Sequence, residues 1–417
     1  MKLLVLSNGH GEDIIAVGIL EHLQAVTNNL ELQALPIVGE GYAYRQLKIP
    51  IIGQVKQMPS GGFIYMDGDR LWEDLRGGLI QLTIAQLKIV RQWGKQGGLI
   101  LAVGDIVPLL FAWLSRANYA FVGTAKSEYY LRDETAWLPR TSWLERCFGS
   151  VYQPWDRWLM NCDRAKAIFP RDSLTAETLK RLGIPACDLG NPMMDGLLGS
   201  KDAEGQKRRL AESSVRRGDS LSILLLPGSR MPEALRNWQQ IVTAVAEIIK
   251  TLDQYKLKFY AAIAPALDLK LFQDALLTSG WQVIIPEEKN SLVLINGDRS
   301  SLYLTQNAYG ECLQASDIAI AMAGTATEQF VGLGKPVITM PGNGPQFTWA
   351  FAEAQSRLLG SSIILVDNPQ QIATAIASLI TDSEKLQAIA INGKRRMGNP
   401  GAAQRIAIHL QKTLLVN

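Results

Sequence analysis

Histidine is scarce in this 417-residue chain: only His10, His22 and His409 occur. So few, spread so widely, argue against a polyhistidine metal centre. Cysteine is almost as rare. Cys147, Cys162, Cys187 and Cys312 form no CxxC pair, which excludes a zinc ribbon or disulfide framework and fits a reducing compartment. Excess charge is missing too. Lys and Arg total 42 against 39 Asp and Glu, a net of +3, too small to mark a dedicated nucleic-acid binder. No apolar run is long enough to span a bilayer. The most apolar stretch, 99–114, is interrupted by Asp105 and Pro108. The first residues reach polar Ser7 and Asn8 too soon for a signal peptide. A soluble, cytoplasmic protein is expected. No GxGxxG follows a strand, so the nicotinamide fingerprint is also lacking.

What remains is a foldable composition, 47% hydrophobic and 19% charged. At roughly 100–200 residues per domain the length predicts two to three domains. Short apolar runs alternate with segments of helical periodicity. Strands are expected at 2–7, 99–103, 165–169 and 187–189, with helices at 13–25 and 174–182. After a charged stretch at 199–220, read as an interdomain linker, the alternation restarts. Strands are expected at 221–226, 257–263, 282–286, 317–322 and 336–340, and helices at 237–251, 326–333, 369–380 and 383–391. The fold class is α/β, with two Rossmann-like, doubly wound domains at 1–198 and 221–399. In such sheets ligands bind outside the carboxyl ends of the strands, so the loops there carry the chemistry.

In the loop Ser7-Asn8-Gly9-His10-Gly11-Glu12-Asp13, Gly9 and Gly11 allow close backbone approach, and His10 is suited to take a proton from an attacking hydroxyl. The plainer reading is a capping loop, with Asp13 on the helix. Asp105 ends an apolar strand, where a carboxylate must be solvated or paired. It is a second candidate base, an orienter of His10, or a turn residue before Pro108. In the second half, Ser229 and Arg230 follow a strand and a tight turn, and the arginine fork matches phosphate oxygens. Glu233 is placed to cap the next helix. Gly324, Thr325 and Ala326 open a helix where backbone amides face a diphosphate. Glu328 and Gln329, one turn in, are suited to ribose hydroxyls. Asn343 and Gln346 follow the next strand and offer neutral bidentate groups for sugar hydroxyls.

These segments together resemble the lipid-A-disaccharide synthase family, in the GT-B class of glycosyltransferases. The resemblance lies in 225–230 (LLPGSR), 324–327 (GTAT) leading to Gly334-Lys335-Pro336, 190–195 (GNPMMD) and Phe347-Thr348. It implies two Rossmann-like domains facing a cleft, a UDP-sugar on the second domain and an acceptor on the first. It also implies a C-terminal helix at 400–417 packing back on the first domain. The first loop departs from the family, and its Gly9-His10 resembles instead the loops of diacylglycerol sugar transferases and of the peptidoglycan N-acetylglucosamine transferase, where the histidine is the presumed base. Counting from Gly324, the family's glutamate position is taken by Gln329, with Glu328 one earlier.

Trp137, Trp143, Trp155 and Trp158 crowd one short segment of the first half, interleaved with arginines. That pattern suits contact with an anionic lipid surface, the plainer alternative being a buried or partner-covered cluster. The expected function is an inverting, metal-independent transfer of a sugar from a UDP-sugar to a hydroxyl of a lipid or lipid-like acceptor. It calls for no cofactor beyond the UDP-sugar substrate, no nucleic acid, and a peripheral membrane contact. Alternatives are a UDP-sugar epimerase or hydrolase of the same fold, or a non-catalytic nucleotide-sugar or lipid-binding protein. The oligomeric state is not legible.

Overall fold

The chain divides into two compact units, Met1–Asp195 with Gly398–Asn417 and Gly196–Met397, in a computed structural model that describes residues 1–55, 79–197, 220–284 and 291–415. All but the last residue of the expected linker at 199–220 lies outside the described residues.

In the first unit the strands are β1 (Lys2–Asn8), β2 (Glu31–Val38), β3 (Leu99–Gly104), β4 (Tyr119–Gly123) and β5 (Ala165–Phe169). The helices are α1 (His10–Val26), α2 (Tyr42–Gln46), α3 (Leu79–Lys95), α4 (Ile106–Leu114), α5 (Trp143–Phe148), α6 (Pro154–Met160) and α7 (Ser173–Arg181). The strands pair in parallel in the order β2-β1-β3-β4-β5. Strands this apolar need cover on both faces. Leu3 and Val5 of β1 point to one layer, with Ile19 and Leu23 of α1. Leu4 and Leu6 point to the other, with Leu109 and Phe111 of α4. The chain adds β2 on one side of β1 and β3 on the other, so the sheet changes direction between β1 and β3.

The second unit holds β6 (Ser220–Leu226), α8 (Glu233–Thr251), β7 (Lys256–Ala262), α9 (Leu269–Thr278), β8 (Gln282–Val283), β9 (Ser291–Asn296), β10 (Ser300–Thr305) and α10 (Tyr309–Ala315). It continues through β11 (Ile318–Ala321), α11 (Thr325–Gly332), β12 (Val337–Thr339), α12 (Trp349–Leu359), β13 (Ile363–Leu365), α13 (Gln370–Thr381) and α14 (Ser383–Met397). Its order is β13-β12-β11-β6-β7-β10-β9-β8. The first six pair in parallel, and β8 and β9 extend the edge antiparallel. Here the reversal falls between β6 and β11. Trp238 of α8 is wholly buried in the core and donates its indole N–H to Phe272 O at 3.0 Å.

The chain then returns to the first unit as α15 (Ala402–Thr413). Ala403, Ile406, Ala407 and Leu410 bury against the layer formed by α1.

Two sequence readings need correction. Residues 187–189 form no strand. Only a bridge from Ala186 to Ile168 and a bond from Cys187 N to Ile168 O survive, next to Pro185, which has no N–H to give. Residues 383–391 continue helically to Met397, and the polar run there is divided, with Lys394 and Arg395 exposed while buried Arg396 donates to Arg357 O and Leu358 O.

Candidate active site

The carboxyl ends of β1 and β3 lie side by side at the reversal in the first sheet, the place where such folds bind ligands. Gly9 and Gly104 end the two strands at φ of 139° and 136°. That conformation disfavours any side chain, and a Cβ on Gly104 would also come within 3.4 Å of the Glu12 side chain. The turns bring three carboxyl groups together. Asp105 caps α4, its Oδ1 accepting from Val107 N at 2.9 Å, and the same oxygen takes a bond from Asn8 Nδ2 at 3.1 Å. Glu12, in the first turn of α1, accepts from Thr124 Oγ1 at 3.4 Å. Asp13 accepts from Ser7 Oγ at 2.6 Å, and Ser7 in turn accepts from the buried Tyr44 hydroxyl at 2.8 Å.

Burial raises all three carboxyls above their ordinary range. Glu12 is pushed up to about 7, mainly by burial, with the Asp105 charge adding to it. Asp13 is pushed up to about 6 by burial, opposed by the Ser7 hydrogen bond. Asp105 is raised by burial, opposed by the Val107 N–H, Asn8 and the Lys126 charge. A carboxyl that titrates near neutrality is matched to proton transfer. Its first turn also sits at the positive end of α1.

His10 is the first residue of α1 and is exposed, as is Gly11. Asp13 does not cap α1. Gly9 is the N-cap, with no side-chain bond to the helix start, and Asp13 faces inward to Ser7. Glu12 is the group that sequence reasoning passed over. Its signal was present, an acidic residue beside a strand-end glycine, but its neighbours Asp105 and Thr124 are supplied by β3 and β4 far along the chain.

In the second unit the loops after β6, β11 and β12 emerge from adjacent strands around the other reversal. Gly228 turns at φ of 102°, and a Cβ there would stand 3.2 Å from Met322 O at the end of β11. Ser229 and Arg230 follow it and are exposed. Gly324 is the N-cap of α11, with no side-chain bond to the helix start. The first turn, Thr325 and Ala326, therefore leaves its amides for an outside acceptor. Glu328 is buried, and Gln329 Oε1 accepts from Tyr309 Oη at 2.6 Å. Asn343 is exposed and Gln346 half-buried in the loop after β12.

Three buried side chains behind these loops were not anticipated in this role. Glu233 does not cap α8. It is the first residue of that helix, and its Oε1 accepts from Gln346 N at 3.1 Å and Phe347 N at 2.6 Å. Gly344 has no Cβ to intrude, since one would lie 2.4 Å from Glu233. Asn237 Nδ2 donates to Pro227 O at 3.0 Å. Gln355 Nε2 donates to Ala323 O at 3.1 Å and Gly324 O at 3.2 Å. Together they fasten all three loops from within. Two of the braces come from helices remote along the chain from the loops they hold, Glu233 from Gln346 and Gln355 from Ala323, and that part of the pattern is invisible in sequence.

Of the four tryptophans singled out, Trp143, Trp155 and Trp158 are exposed, while the Arg132 guanidinium lies 4.3 Å over the ring of Trp137. Among the described residues no group of three or more His, Cys, Asp or Glu is placed to hold a metal ion, and no helix is long and apolar enough to cross a membrane.

No family model matches the chain. A lipid-A-disaccharide synthase of Syntrophus aciditrophicus is 23% identical over 271 residues, 59% of this chain and 61% of that protein. The match thus spans about three-fifths of the length of that relative. Among solved structures, MurG of Acinetobacter baumannii superposes with a TM-score of 0.57 at 14% identity, covering 99% of both chains. A UDP-GlcNAc 2-epimerase of Neisseria meningitidis, solved bound to UDP-GlcNAc, gives 0.56 at 16% identity, covering 99% of this chain and 100% of its own. The fold is that of the GT-B glycosyltransferases and the UDP-sugar epimerases built like them.

Proposed function

We propose that this chain, a divergent relative of the lipid-A-disaccharide synthases, moves a sugar from a UDP-sugar to a hydroxyl of a lipid or lipid-like acceptor. The observation that carries the reading is the convergence of Arg230, Ser229 and the open first turn of α11 at the reversal of the second sheet. An arginine fork beside free helix amides is a diphosphate site. Asn343, Gln346, Glu328 and Gln329 border it and offer partners for ribose and sugar hydroxyls.

The acceptor hydroxyl attacks the anomeric carbon from the face opposite the diphosphate. Its oxygen–carbon bond forms as the carbon–oxygen bond to the diphosphate breaks, and the configuration inverts. The hydroxyl proton passes to a base, and the negative charge passes to UDP. Arg230 and the amides of 324–326 meet that charge in fixed positions, the kind of electrostatic preorganisation that dominates many rate enhancements. Three groups compete for the role of base. His10 is exposed and free to reach a hydroxyl. Asp105 is committed to Asn8 and the α4 amide. Glu12 titrates near neutrality and is the base best matched to the task.

The test is UDP release from a panel of UDP-sugars with and without membrane lipids. Release that requires lipid and yields a glycolipid supports the proposal. A second reading, epimerisation or hydrolysis of the UDP-sugar, is favoured by the paired carboxyls Glu12 and Asp105, which suit acid–base work on a sugar ring. It predicts epimerised or free sugar without any acceptor. Absence of UDP binding at millimolar concentration would remove both.

A further inference from the structure

We infer that Thr124 is a positioning residue for Glu12: its hydroxyl fixes one oxygen of the carboxyl and leaves the other to exchange the proton. Thr124 follows β4 and is 7% exposed. Its Oγ1 donates to Glu12 Oε1 at 3.4 Å. An oxygen that already accepts a hydrogen bond is the poorer seat for a proton, so the proton of the neutral acid belongs on Oε2. The hold on the carboxyl stands without the glycosyl-transfer reading; its part in turnover rests on Glu12 being the base.

A donor can fix a carboxyl only if it is itself fixed, and three separate elements fix this one. Thr124 N donates to Gly104 O at 3.0 Å, which ties the turn to the end of β3. Arg171, after β5 and only 4% exposed, donates from Nη1 to Thr124 O at 3.0 Å. A buried guanidinium is costly unless it is paired and bonded, and the buried Asp172 lies next to it to oppose its charge. Gly123 lets the backbone pass close to the buried Tyr152, where a Cβ would lie 2.4 Å from Oη. The backbone amide and carbonyl of Thr124 are thus both committed, and its hydroxyl is spent on the carboxyl cluster.

The same hydroxyl bears on when Glu12 ionises. Burial pushes that carboxyl up to about 7 against its own amide; the Asp105 charge adds to the rise, the Thr124 hydroxyl opposes it, and Asp13 adds a little more. The remaining charged or titratable neighbours act at one remove. Tyr44 of α2 bonds Ser7 beside Asp13. Lys126 pairs with Asp156 and acts on Asp105. His10 is exposed on the first turn of α1. Deleting the hydroxyl while keeping the shape of the side chain therefore makes Glu12 harder to ionise.

The experiment compares Thr124→Val, which keeps the shape and loses the donor, with Thr124→Ser, which keeps the donor. Urea melts of the full chain are run at about pH 5, where Glu12 holds its proton in the folded state, and at about pH 8, where it is ionised and misses the donor. Thr124→Val is expected to raise the unfolding constant about three- to fivefold more at the higher pH than at the lower, the mark of a rise of about half a unit to one unit in the titration of Glu12. In a Glu12→Gln background that increment disappears. What Asp13, Asp105 and His10 contribute is common to both backgrounds and cancels. Thr124→Ser shows no increment. Should Thr124→Val fail to fold, Thr124→Ala, which is too small to clash, is read in the same way. An increment that is absent, or that survives Glu12→Gln, overturns the inference. Turnover supplies the second reading. In Thr124→Val the acidic limb of the rate profile moves up by the same half unit to one unit, roughly, with UDP affinity unchanged, and in Thr124→Ser it stays in place. A shifted melting profile with an unshifted limb upholds the grip of Thr124 on Glu12 and removes Glu12 as the base, so the two readings fail separately.

Discussion

At the scale of single residues, Glu12 links stability and activity with opposite signs. Its carboxyl ordinarily titrates at 4.5 and is held up to about 7 in the folded chain. Between those values the folded state holds a proton that the unfolded chain has released. Stability is therefore greatest below the lower value and is lost as pH rises through the upper one. Asp13, raised from 3.8 to about 6, adds a loss in the same direction. Glu12→Gln removes the charge that burial disfavours. At about pH 8 the variant is expected to be more stable than wild type, by on the order of 2 kcal/mol; at about pH 5 the two should melt alike. Thermal melts at both pH values check this. The same substitution removes the proposed base. Turnover should fall about 100- to 10,000-fold, and the acidic limb of the rate profile near neutrality should vanish. A Gln variant with unchanged activity and an intact limb would return the role to His10 or Asp105. Sequence alone made His10 and Asp105 visible, since both sit where an apolar run stops. It did not make Glu12 visible, because a glutamate in the first turn of a helix is ordinary until β3 and β4 bring Asp105 and Thr124 beside it.

At the scale of elements, the loops after β6, β11 and β12 depend on the three braces. Glu233→Ala leaves the amides of Gln346 and Phe347 without their acceptor, at about 1–3 kcal/mol for each buried group. UDP binding is expected to weaken by about tenfold as the loop after β12 loosens, whereas Glu233→Gln retains an oxygen in place and most of the affinity. Calorimetry with UDP separates the two. Helix packing supplies another test. Gly393 on α14 is buried, and a Cβ there would lie 2.2 Å from Val331 O of α11. Because that obstacle is backbone, Gly393→Ala should cost about 1–3 kcal/mol, read from denaturant melts. The alternation of strands and helices was legible for most of these elements, since their buried faces repeat with the right period. β6, β11 and β12 end where the apolar runs end. Other elements, among them β13 and the helices α4, α9, α10 and α12, were not read from the sequence, and the missed strands show why. β2 carries Pro36, which argues against a strand. β4, at five residues, is too short to stand out. The β9–β10 hairpin mixes buried and half-buried positions toward a sheet edge and lacks the continuous apolar run of a central strand.

At the scale of the whole molecule, strand order was beyond the sequence. Which strand lies beside which is decided by long-range pairing such as Leu3 with Leu99 and Ile320 with Leu225, and no local pattern encodes it. The positions of both sheet reversals, and hence of the candidate site, follow from that order. The contribution of α15 is likewise non-local. Ala403, Ile406, Ala407 and Leu410 are all essentially buried, and at about 1.5–3 kcal/mol for each of the larger two their loss removes several kcal/mol from the first unit. A chain truncated after Met397 is expected to lose the cooperative melt of the first unit while retaining that of the second, as protease protection or a two-step denaturation would reveal.

The polypeptide departs from the first unit at Asp195 and comes back at Gly398. At that seam the Asp195 carboxylate receives the amide protons of Gly401, Ala402 and Ala403 as α15 begins. Gly398 lies against Gly190 and Asn191, with its Cβ position 3.4 Å from Asn191 N. Both severed ends of an excised second unit would thus fall at one place, already stitched by one acid. Joining Asp195 to Gly398 with a few flexible residues should yield a chain that folds as the first unit alone. The same doorway would admit a foreign insert without rethreading the sheet.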